Sequence, residues 1–285
     1  MTIIPVLYGA GILAPWVAPY NYNQQDLTVA LQGPSLEHPL GTDRLGRDLL
    51  SRIIWGLRTT VIVTVAAIFT GSLFLGILLG TLAGYLGKRA DMAIMRVGDI
   101  FLAFPGMLLI ILIAATLKPR VVDWVRYIED TTALEGLVQS GMVDYFVVFG
   151  ALALFGWVGM ARLVRGQMLY LKEMAFVDAA RAAGASTGRI LWHHLLPNAL
   201  SPVIVTVSMA MGGAAGSEVV LSWLGIGIQP PTPSLGNMIF ENGNISVLRT
   251  TPHLLLFPVV MIGLIIFSFN LLGDALNDAL NPRAR

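Results

Sequence analysis

Long apolar segments constrain this sequence more than any other feature. Several runs approach the roughly 20 residues that a helix needs to cross the hydrocarbon core of a bilayer. Only 12% of the 285 residues are charged, whereas soluble domains carry about 25%. One soluble core cannot bury so many separate apolar helices. The sequence therefore predicts an all-α, polytopic membrane protein.

Six apolar segments are predicted to be transmembrane helices. They cover residues 3–17, 60–84, 100–117, 145–161, 200–226 and 253–272. The third is interrupted at Pro105, where a proline is expected to kink the helix. Six spans place both termini on one side of the membrane. Short basic turns at residues 88–89 and 162–165 favour the cytoplasm for that side, because cytoplasmic loops carry an excess of Lys and Arg.

The segments between the spans are predicted to lie outside the membrane. Residues 38–58 predict an amphipathic helix on the membrane surface, because apolar residues recur there at helical spacing. These are Leu45, Leu49, Ile53 and Leu57. Residues 118–144 predict an extramembrane hairpin with a possible helical pattern at Val121 to Ile128 and Leu134 to Val138, and residues 273–285 predict a short polar tail. We divide the chain into residues 1–58, the first helix with this extracytoplasmic amphipathic segment, and residues 59–285, a core of five transmembrane helices.

The longest polar passage between apolar segments in the second half of the chain covers residues 173–197. Small residues around Ala179, a break at Gly184, a second helical run and a stop at Pro197 predict a helix-turn-helix held outside the membrane. Small side chains let a partner approach closely, and Asp178 near a helix start interacts favourably with the helix dipole. We interpret this passage as a docking surface.

Several kinds of chemistry are absent from the sequence. There is no cysteine, which excludes disulfides, thiolate metal sites and cysteine catalysis. A net charge of +1 gives no reason to expect nucleic acid. No P-loop occurs, since residues 80–88 lack its glycine spacing, and no metalloprotease or hydrolase motif is present. His193 and His194 are adjacent, so they point to different faces of a helix, and we predict no metal site.

Two features within the predicted spans favour specific contacts. Glu218 is the one acidic residue deep in a span, where an ionisable group needs a partner or a water-filled cavity. A relay or substrate-contacting carboxylate and a hydrogen bond between helices both remain open; the second is favoured, because no second acid or histidine accompanies it. Gly76, Gly80 and Gly84 recur on one face of the second span, and such spacing lets helices pack closely. Packing within the chain is favoured over a dimer contact.

The sequence DAARAAGASTGRILWHHLLP, residues 178–197, resembles the EAA loop of bacterial ABC importer permeases. In that family the loop forms a short coupling helix that sits in a groove of the ATPase subunit. The resemblance places a coupling loop at residues 165–198. Its matching or included residues are Asp178, Ala179, Ala180, Arg181, Gly184, Leu196 and Pro197. Asp178 stands where the family usually has Glu, and His194 where it usually has an apolar residue.

Four further motifs resemble the C-type subunit of the dipeptide/oligopeptide/nickel permease family. They are HPLGTDRLGRDLLSRIIWGLR, FPGMLLI, LSWLGIGIQPPTPSLGNMI and FNLLGDALNDALNPR, and the resemblance covers nearly the whole chain from about Ala18. It implies the ABC importer type I permease fold in the cell inner membrane. The implied partners are a B-type permease as heterodimer, two ATP-binding subunits and an extracytoplasmic substrate-binding protein.

The same resemblance implies that this chain forms half of a translocation pathway for peptides or related small solutes such as nickel complexes. It implies no enzyme activity and no cofactor on this chain, since ATP and Mg²⁺ belong to the partner subunits. Two other classes remain as alternatives. An ion-coupled secondary transporter would show paired intramembrane carboxylates or an inverted repeat. A membrane scaffold that does not transport would share the docking surface alone.

Overall fold

The computed structural model describes residues 2–132 and 135–280. Within these residues the chain is helical, with one isolated β-bridge between Thr42 and Asp48. The all-α prediction is confirmed. The helices are α1 (Ile3–Ile12), α2 (Ala14–Val17), α3 (Leu49–Leu86), α4 (Lys88–Leu102), α5 (Gly106–Thr131), α6 (Met142–Leu171), α7 (Ala175–Ala182), α8 (Thr187–Trp223), α9 (Leu235–Asn242), α10 (Ile245–Thr250) and α11 (His253–Leu280).

Four of these helices are long and apolar enough to cross a membrane, namely α3, α6, α8 and α11. The pair α4 and α5 adds a fifth span if its sharp bend is allowed, and the bend lies at Pro105, where the sequence predicts a kink. The first predicted span, residues 3–17, consists of two short helices: α1 has 10 residues, about 15 Å at 1.5 Å per residue, and α2 has 4 residues. Pro15 interrupts that segment, because proline has no N–H to continue the helix.

Residues 38–58 do not form the predicted surface helix. Helix α3 begins only at Leu49 and continues directly into the second span. Its apolar face is buried, with Leu49, Ile53 and Leu57 at most 3% exposed. Helical spacing of apolar residues predicts an apolar face, but it does not indicate whether lipid or protein covers that face. Here the face is covered by other parts of the protein.

In the predicted hairpin at residues 118–144, the helical pattern at residues 121–128 is confirmed, but this helix is the continuation of α5. Helix α5 continues through Pro119 to Thr131, and the side chain of the neighbouring Lys118 is held on two sides. The Lys118 ammonium lies 2.8 Å from the Asp144 carboxylate and donates to the Gly227 carbonyl at 3.1 Å.

The predicted polar tail at residues 273–285 is also helical in its first part, since α11 reaches Leu280. Its charged residues Asp274 and Asp278 lie on this helix. Arg283 and Arg285, which the cytoplasmic assignment of the tail includes, lie outside the described residues, as does Leu134.

The described residues fall into two compact units. The first contains residues 2–66, 110–132, 135–151 and 211–269. In it α1 packs closely on α3, since a Cβ atom at Gly11 would lie 2.9 Å from the main chain of Leu57. The Tyr8 hydroxyl lies 3.1 Å from Thr64 Oγ1. The Tyr8 ring also meets the ring of Phe269 edge-on, with centroids 5.1 Å apart.

The second unit contains residues 67–109, 152–210 and 270–280. Its core is a cluster of side chains from the ends of α6 and α8 and from α7. The buried members are Met160, Val164, Met168, Leu171, Val177, Ile190, Leu195, Ala199 and Val203. Helix α4 joins α6 through Phe101, which packs against the rings of Phe155 and Trp157. This unit carries the predicted docking surface.

Candidate functional site

The candidate docking surface is helix α7 with the turn that follows it. The one buried residue of α7 is Val177, which lies in the core cluster of the second unit. At 100° per residue, the opposite face presents Ala175, Ala179 and Ala182. These three residues are exposed. Helix α7 therefore shows its surroundings a smooth face of methyl groups, which a partner can approach closely.

Charged side chains flank this alanine face. Asp178 and Arg181 form an exposed pair at 3.1 Å on neighbouring turns. Ala180 is half-buried and packs against the core cluster. An exposed pair of this kind adds at most about 1 kcal/mol to stability, so the two side chains remain available to a partner.

Gly184 ends the docking helix in a left-handed conformation, with φ +79°. The Gly184 amide donates to the Arg181 carbonyl at 2.9 Å, and the next amide, of Ala185, donates to the Ala180 carbonyl at 2.9 Å. Glycine is the residue that adopts this conformation without strain at a helix C-terminus. The turn leads to Ser186, whose hydroxyl accepts from the Arg189 amide and caps the start of α8.

Leu196 and Pro197 do not end a helix, so the predicted helix stop at Pro197 is wrong. Both residues lie inside α8, which is continuous from Thr187 to Trp223. A π-helical stretch, Leu191–Leu195, precedes the proline. Such a stretch changes the hydrogen-bond register where Pro197 cannot donate. Residues 187–197 of the predicted docking passage therefore belong to the membrane-spanning helix α8 itself.

The glycine stripe of α3 faces α6 within the second unit. A Cβ atom would lie 2.6 Å from Met160 Cβ at Gly76 and 2.5 Å from Met168 Cβ at Gly84. At Gly80 it would lie 2.6 Å from the main-chain oxygen of Ala161. The two helices therefore approach as closely as glycine permits.

We expect Gly80→Ala to destabilise this helix pair by about 1–3 kcal/mol, the usual cost of overpacking. The added methyl group meets main chain at Ala161, which cannot move aside as a flexible side chain can. The thermal unfolding midpoint of the purified protein in detergent measures the loss. Gly159→Ala on α6 is the matched control, since nothing lies within 4 Å of a Cβ there. Equal midpoints for the two variants would contradict the expectation.

Glu218 lies on α8 in the first unit and is fully buried. Its carboxyl oxygens accept three hydrogen bonds from hydroxyl groups. The donors are Thr60 at 3.0 Å, Ser222 at 2.9 Å and Ser234 at 3.0 Å. Thr60 belongs to α3 and Ser234 precedes α9, so Glu218 connects three parts of the first unit. The sequence analysis did not anticipate any of these three donors, because isolated Ser and Thr residues carry no distinctive sequence signal.

A second buried polar cluster in the first unit was also missed by the sequence reasoning. Asp43 accepts from Arg47 at 2.7 Å and from Arg52 at 2.5 Å. Both guanidinium groups also reach Glu241 on α9, at 3.3 Å and 3.0 Å. The cluster ties the loop before α3 to α9. The one available signal was the density of charges in the sequence from Asp43 to Arg52.

His193 and His194 lie in the π-helical stretch of α8. The ring of His194 lies 6.5 Å from that of Phe176 on α7. Among the residues that the structure describes, no group of three or more His, Asp or Glu side chains is placed to hold a metal ion.

Known proteins with similar sequences are membrane permeases. Residues 76–285 match the family described as binding-protein-dependent transport system inner membrane component. The chain is 38% identical, over 274 residues, to the dipeptide transport system permease protein DppC of Alkalihalophilus pseudofirmus, covering 96% of this chain and 81% of that protein. It is 36% identical, over 285 residues, to the glutathione transport system permease protein GsiD of Pectobacterium atrosepticum, covering 100% and 85%.

The fold is also similar to a solved structure. A chain of the MetNI methionine ABC transporter, in an inward-facing conformation, matches with a TM-score of 0.54 and 19% sequence identity. The match covers 80% of this chain and 93% of that chain. At this identity the likeness concerns the fold alone, which is that of an ABC importer permease.

Proposed function

This chain belongs to the family of binding-protein-dependent transport inner membrane components, and from that premise we propose how it is assembled and coupled. It is a multi-pass permease subunit of an ABC importer in the inner membrane. The observation that carries the proposal is the alanine face of α7, which the short turn at Gly184 connects to the spanning helix α8.

We propose that α7 is the coupling helix, which docks on an ATP-binding subunit. Alanine at the outward positions lets a groove close over the helix, and the exposed pair Asp178–Arg181 offers charges at its edge. Because α8 continues from Thr187 into the membrane, movement of the docked helix is transmitted to a span as rigid-body motion. Gly184 sets the angle between the two helices, since its conformation is strained for other residues.

We propose that the transported substrates are short peptides. The two relatives described above are named for the transport of dipeptides and of glutathione, and they match this chain over nearly its full length. Nickel complexes and other small solutes remain a second possibility from the sequence resemblance. A separate binding protein outside the cell membrane would deliver the substrate.

We propose a complete transporter of a B-type permease, this chain, two ATP-binding subunits and the binding protein. In this assembly ATP and Mg²⁺ are held by the partner subunits, and this chain binds no cofactor and hydrolyses nothing. Both termini face the cytoplasm, which requires that the segment at residues 3–17 also cross the membrane. The division at residues 58 and 59 into a first helical segment and a permease core belongs to the same proposal.

We expect Ala179→Trp to abolish coupling while the protein remains folded in the membrane. The indole would project from the centre of the methyl face and hold a partner groove away. In transporters purified with their ATP-binding subunits, substrate-stimulated ATP hydrolysis should fall at least tenfold; a factor of ten corresponds to about 1.4 kcal/mol of lost docking energy.

Ala179→Ser is the matched control, because serine occupies the same position with a small side chain. It should retain hydrolysis and transport. The thermal unfolding midpoints of both variants should equal that of the unchanged protein, since residue 179 is exposed. Full stimulated hydrolysis in Ala179→Trp would show that α7 does not dock on the ATP-binding subunit.

The ion-coupled transporter is less well supported than the importer. Among the described residues no second carboxylate contacts Glu218, whose acceptor oxygens are occupied by hydroxyl groups. A scaffold that does not transport would retain ATPase binding without substrate-stimulated hydrolysis. The experiment on Ala179 therefore also distinguishes an importer from a scaffold. In an importer, the unchanged protein with its ATP-binding subunits must show substrate-stimulated ATP hydrolysis, whereas in a scaffold it must not.

A further inference from the structure

Helix α4 has its acidic side chains paired toward α6, and its exposed residues Arg89 and Arg96 lie on the other side. Asp91 receives a bidentate contact from Arg165, and Asp99 receives Arg162 at 2.6 Å. Lys88, Arg89 and Arg96 are exposed. Within residues 2–132 and 135–280, these three basic residues form no ion pair. The outward side of α4 is therefore positively charged, because Asp91 and Asp99 are paired with arginine residues of α6.

The same side of α4 carries exposed apolar residues. Met92 is 66% exposed, Val97 48% and Ile100 59%. A helix that combines free basic residues with exposed apolar residues is suited to the boundary between lipid headgroups and acyl chains. A helix in water alone would leave these apolar side chains uncovered.

An apolar cavity of about 250 Å³ opens beside this face, entirely within the second unit. Its lining residues are Leu79 of α3, Ala93, Ile94 and Val97 of α4, and Trp157 of α6. Ala93 lies four residues after Arg89 and three before Arg96, so all three share one stripe of the helix. Arg89 and Arg96 therefore lie about one turn to either side of one lining residue, Ala93, along α4.

We propose that this cavity binds an acyl chain of an anionic phospholipid whose phosphate is held by Arg89 and Arg96. The apolar lining matches a hydrocarbon chain, and the unpaired guanidinium groups match a negatively charged headgroup. A zwitterionic lipid offers the same chain with less net attraction. The site lies on the packed pair α4 and α6, so the bound lipid stabilises the attachment of α4.

The test uses a single thiol, since the natural chain has no cysteine. Met92→Cys is labelled with bimane and placed, with the partner subunits, in nanodiscs that contain brominated phosphatidylglycerol or brominated phosphatidylcholine. Bromine quenches bimane only at short range. We expect quenching at position 92 to favour phosphatidylglycerol, and the preference to fall about thirtyfold in Arg89→Gln/Arg96→Gln, which corresponds to about 1 kcal/mol for each of the two basic residues near a surface.

Two controls make the result decisive. Leu108→Cys on α5 is also 63% exposed, and its label should show no preference between the two lipids. Arg120→Gln/Arg126→Gln removes two other exposed basic residues and should leave the preference at position 92 unchanged. Equal quenching by both lipids at position 92 would overturn the proposal. So would an absence of quenching by either lipid, because a partner subunit would then cover this face.

Discussion

Asp43→Ala is expected to lower the free energy of unfolding by about 3–5 kcal/mol, the usual cost of leaving a buried ion-pair partner alone. Asp43 is only 2% exposed, and Arg52 only 3%. Without Asp43 the Arg47 and Arg52 guanidinium groups would share one carboxylate, that of Glu241. That carboxylate is partly exposed, with 30% of its side chain open to solvent.

Asp43 also shapes the main chain of its own turn. Its Oδ1 atom accepts from the amides of Leu45 at 2.9 Å and Arg47 at 3.0 Å. Asp43→Asn keeps this acceptor but removes the charge, so we expect a loss between that of Asp43→Ala and zero. The ordering separates the charge contribution from the turn contribution.

Unfolding of the purified protein in mixed micelles, followed by tryptophan fluorescence, measures these differences. Asp123→Ala is the control for loss of an exposed aspartate, and it should unfold like the unchanged protein. Glu241→Gln should cost less than Asp43→Ala, because solvent reaches position 241. If Asp43→Ala unfolded like Asp123→Ala, the buried cluster would not hold the loop to α9.

The sequence predicted local helix structure well where turn residues mark it. The run of alanines before Gly184 predicted α7, and the glycine takes the left-handed conformation that the break requires. The spacing of Gly76, Gly80 and Gly84 predicted one close-packed face, and each glycine lies against α6. In these cases the residue type itself fixes the local geometry or the closeness of contact.

The sequence predicted the surroundings of apolar faces poorly. Leu49, Ile53 and Leu57 have the spacing of a surface helix, yet protein covers them. Lipid tails are as apolar as leucine side chains, so hydropathy cannot distinguish the two surroundings. The charged residues of the same segment are not at the surface either, since Arg52 is buried against Asp43.

Proline was the second source of error. Pro197 was expected to end a helix and Pro119 to lie in a hairpin, but both lie within helices. A π-helical stretch before Pro197 changes the hydrogen-bond register at the position where proline has no amide to donate. Next to Pro119, the Lys118 side chain contacts Asp144 and the carbonyl of Gly227. A pattern in one segment cannot report such compensation, because the compensating groups lie on other segments.

Glu218→Leu is expected to destabilise the protein strongly, by roughly 3 kcal/mol or more, since each buried hydroxyl left unsatisfied costs about 1–3 kcal/mol. The hydroxyl oxygens of two of its three donors also accept hydrogen bonds from backbone amides. Ser222 Oγ accepts from the Ile228 amide at 3.1 Å, and Ser234 Oγ accepts from the Gly236 amide at 3.1 Å. These serines must therefore donate to position 218. Leucine offers them no acceptor.

Glu218→Gln should retain most of the stability, for a reason that the same network provides. The glutamine oxygen can face Ser222 and Ser234, as Glu218 Oε1 does now. Its amide nitrogen then faces Thr60, whose hydroxyl can rotate to accept. Unfolding in mixed micelles should place Glu218→Gln near the unchanged protein and well above Glu218→Leu.

Transport by Glu218→Gln then decides between the two roles that the sequence leaves open for this carboxyl group. A residue that binds three parts of the first unit together needs an acceptor at Oε1, which glutamine supplies, so peptide uptake should continue at a similar rate. A proton relay needs a group that gains and loses a proton, which glutamine cannot do. Folded Glu218→Gln protein without uptake would therefore move Glu218 from the packing of α3, α8 and α9 into the transport pathway, and the ion-coupled mechanism would again require consideration.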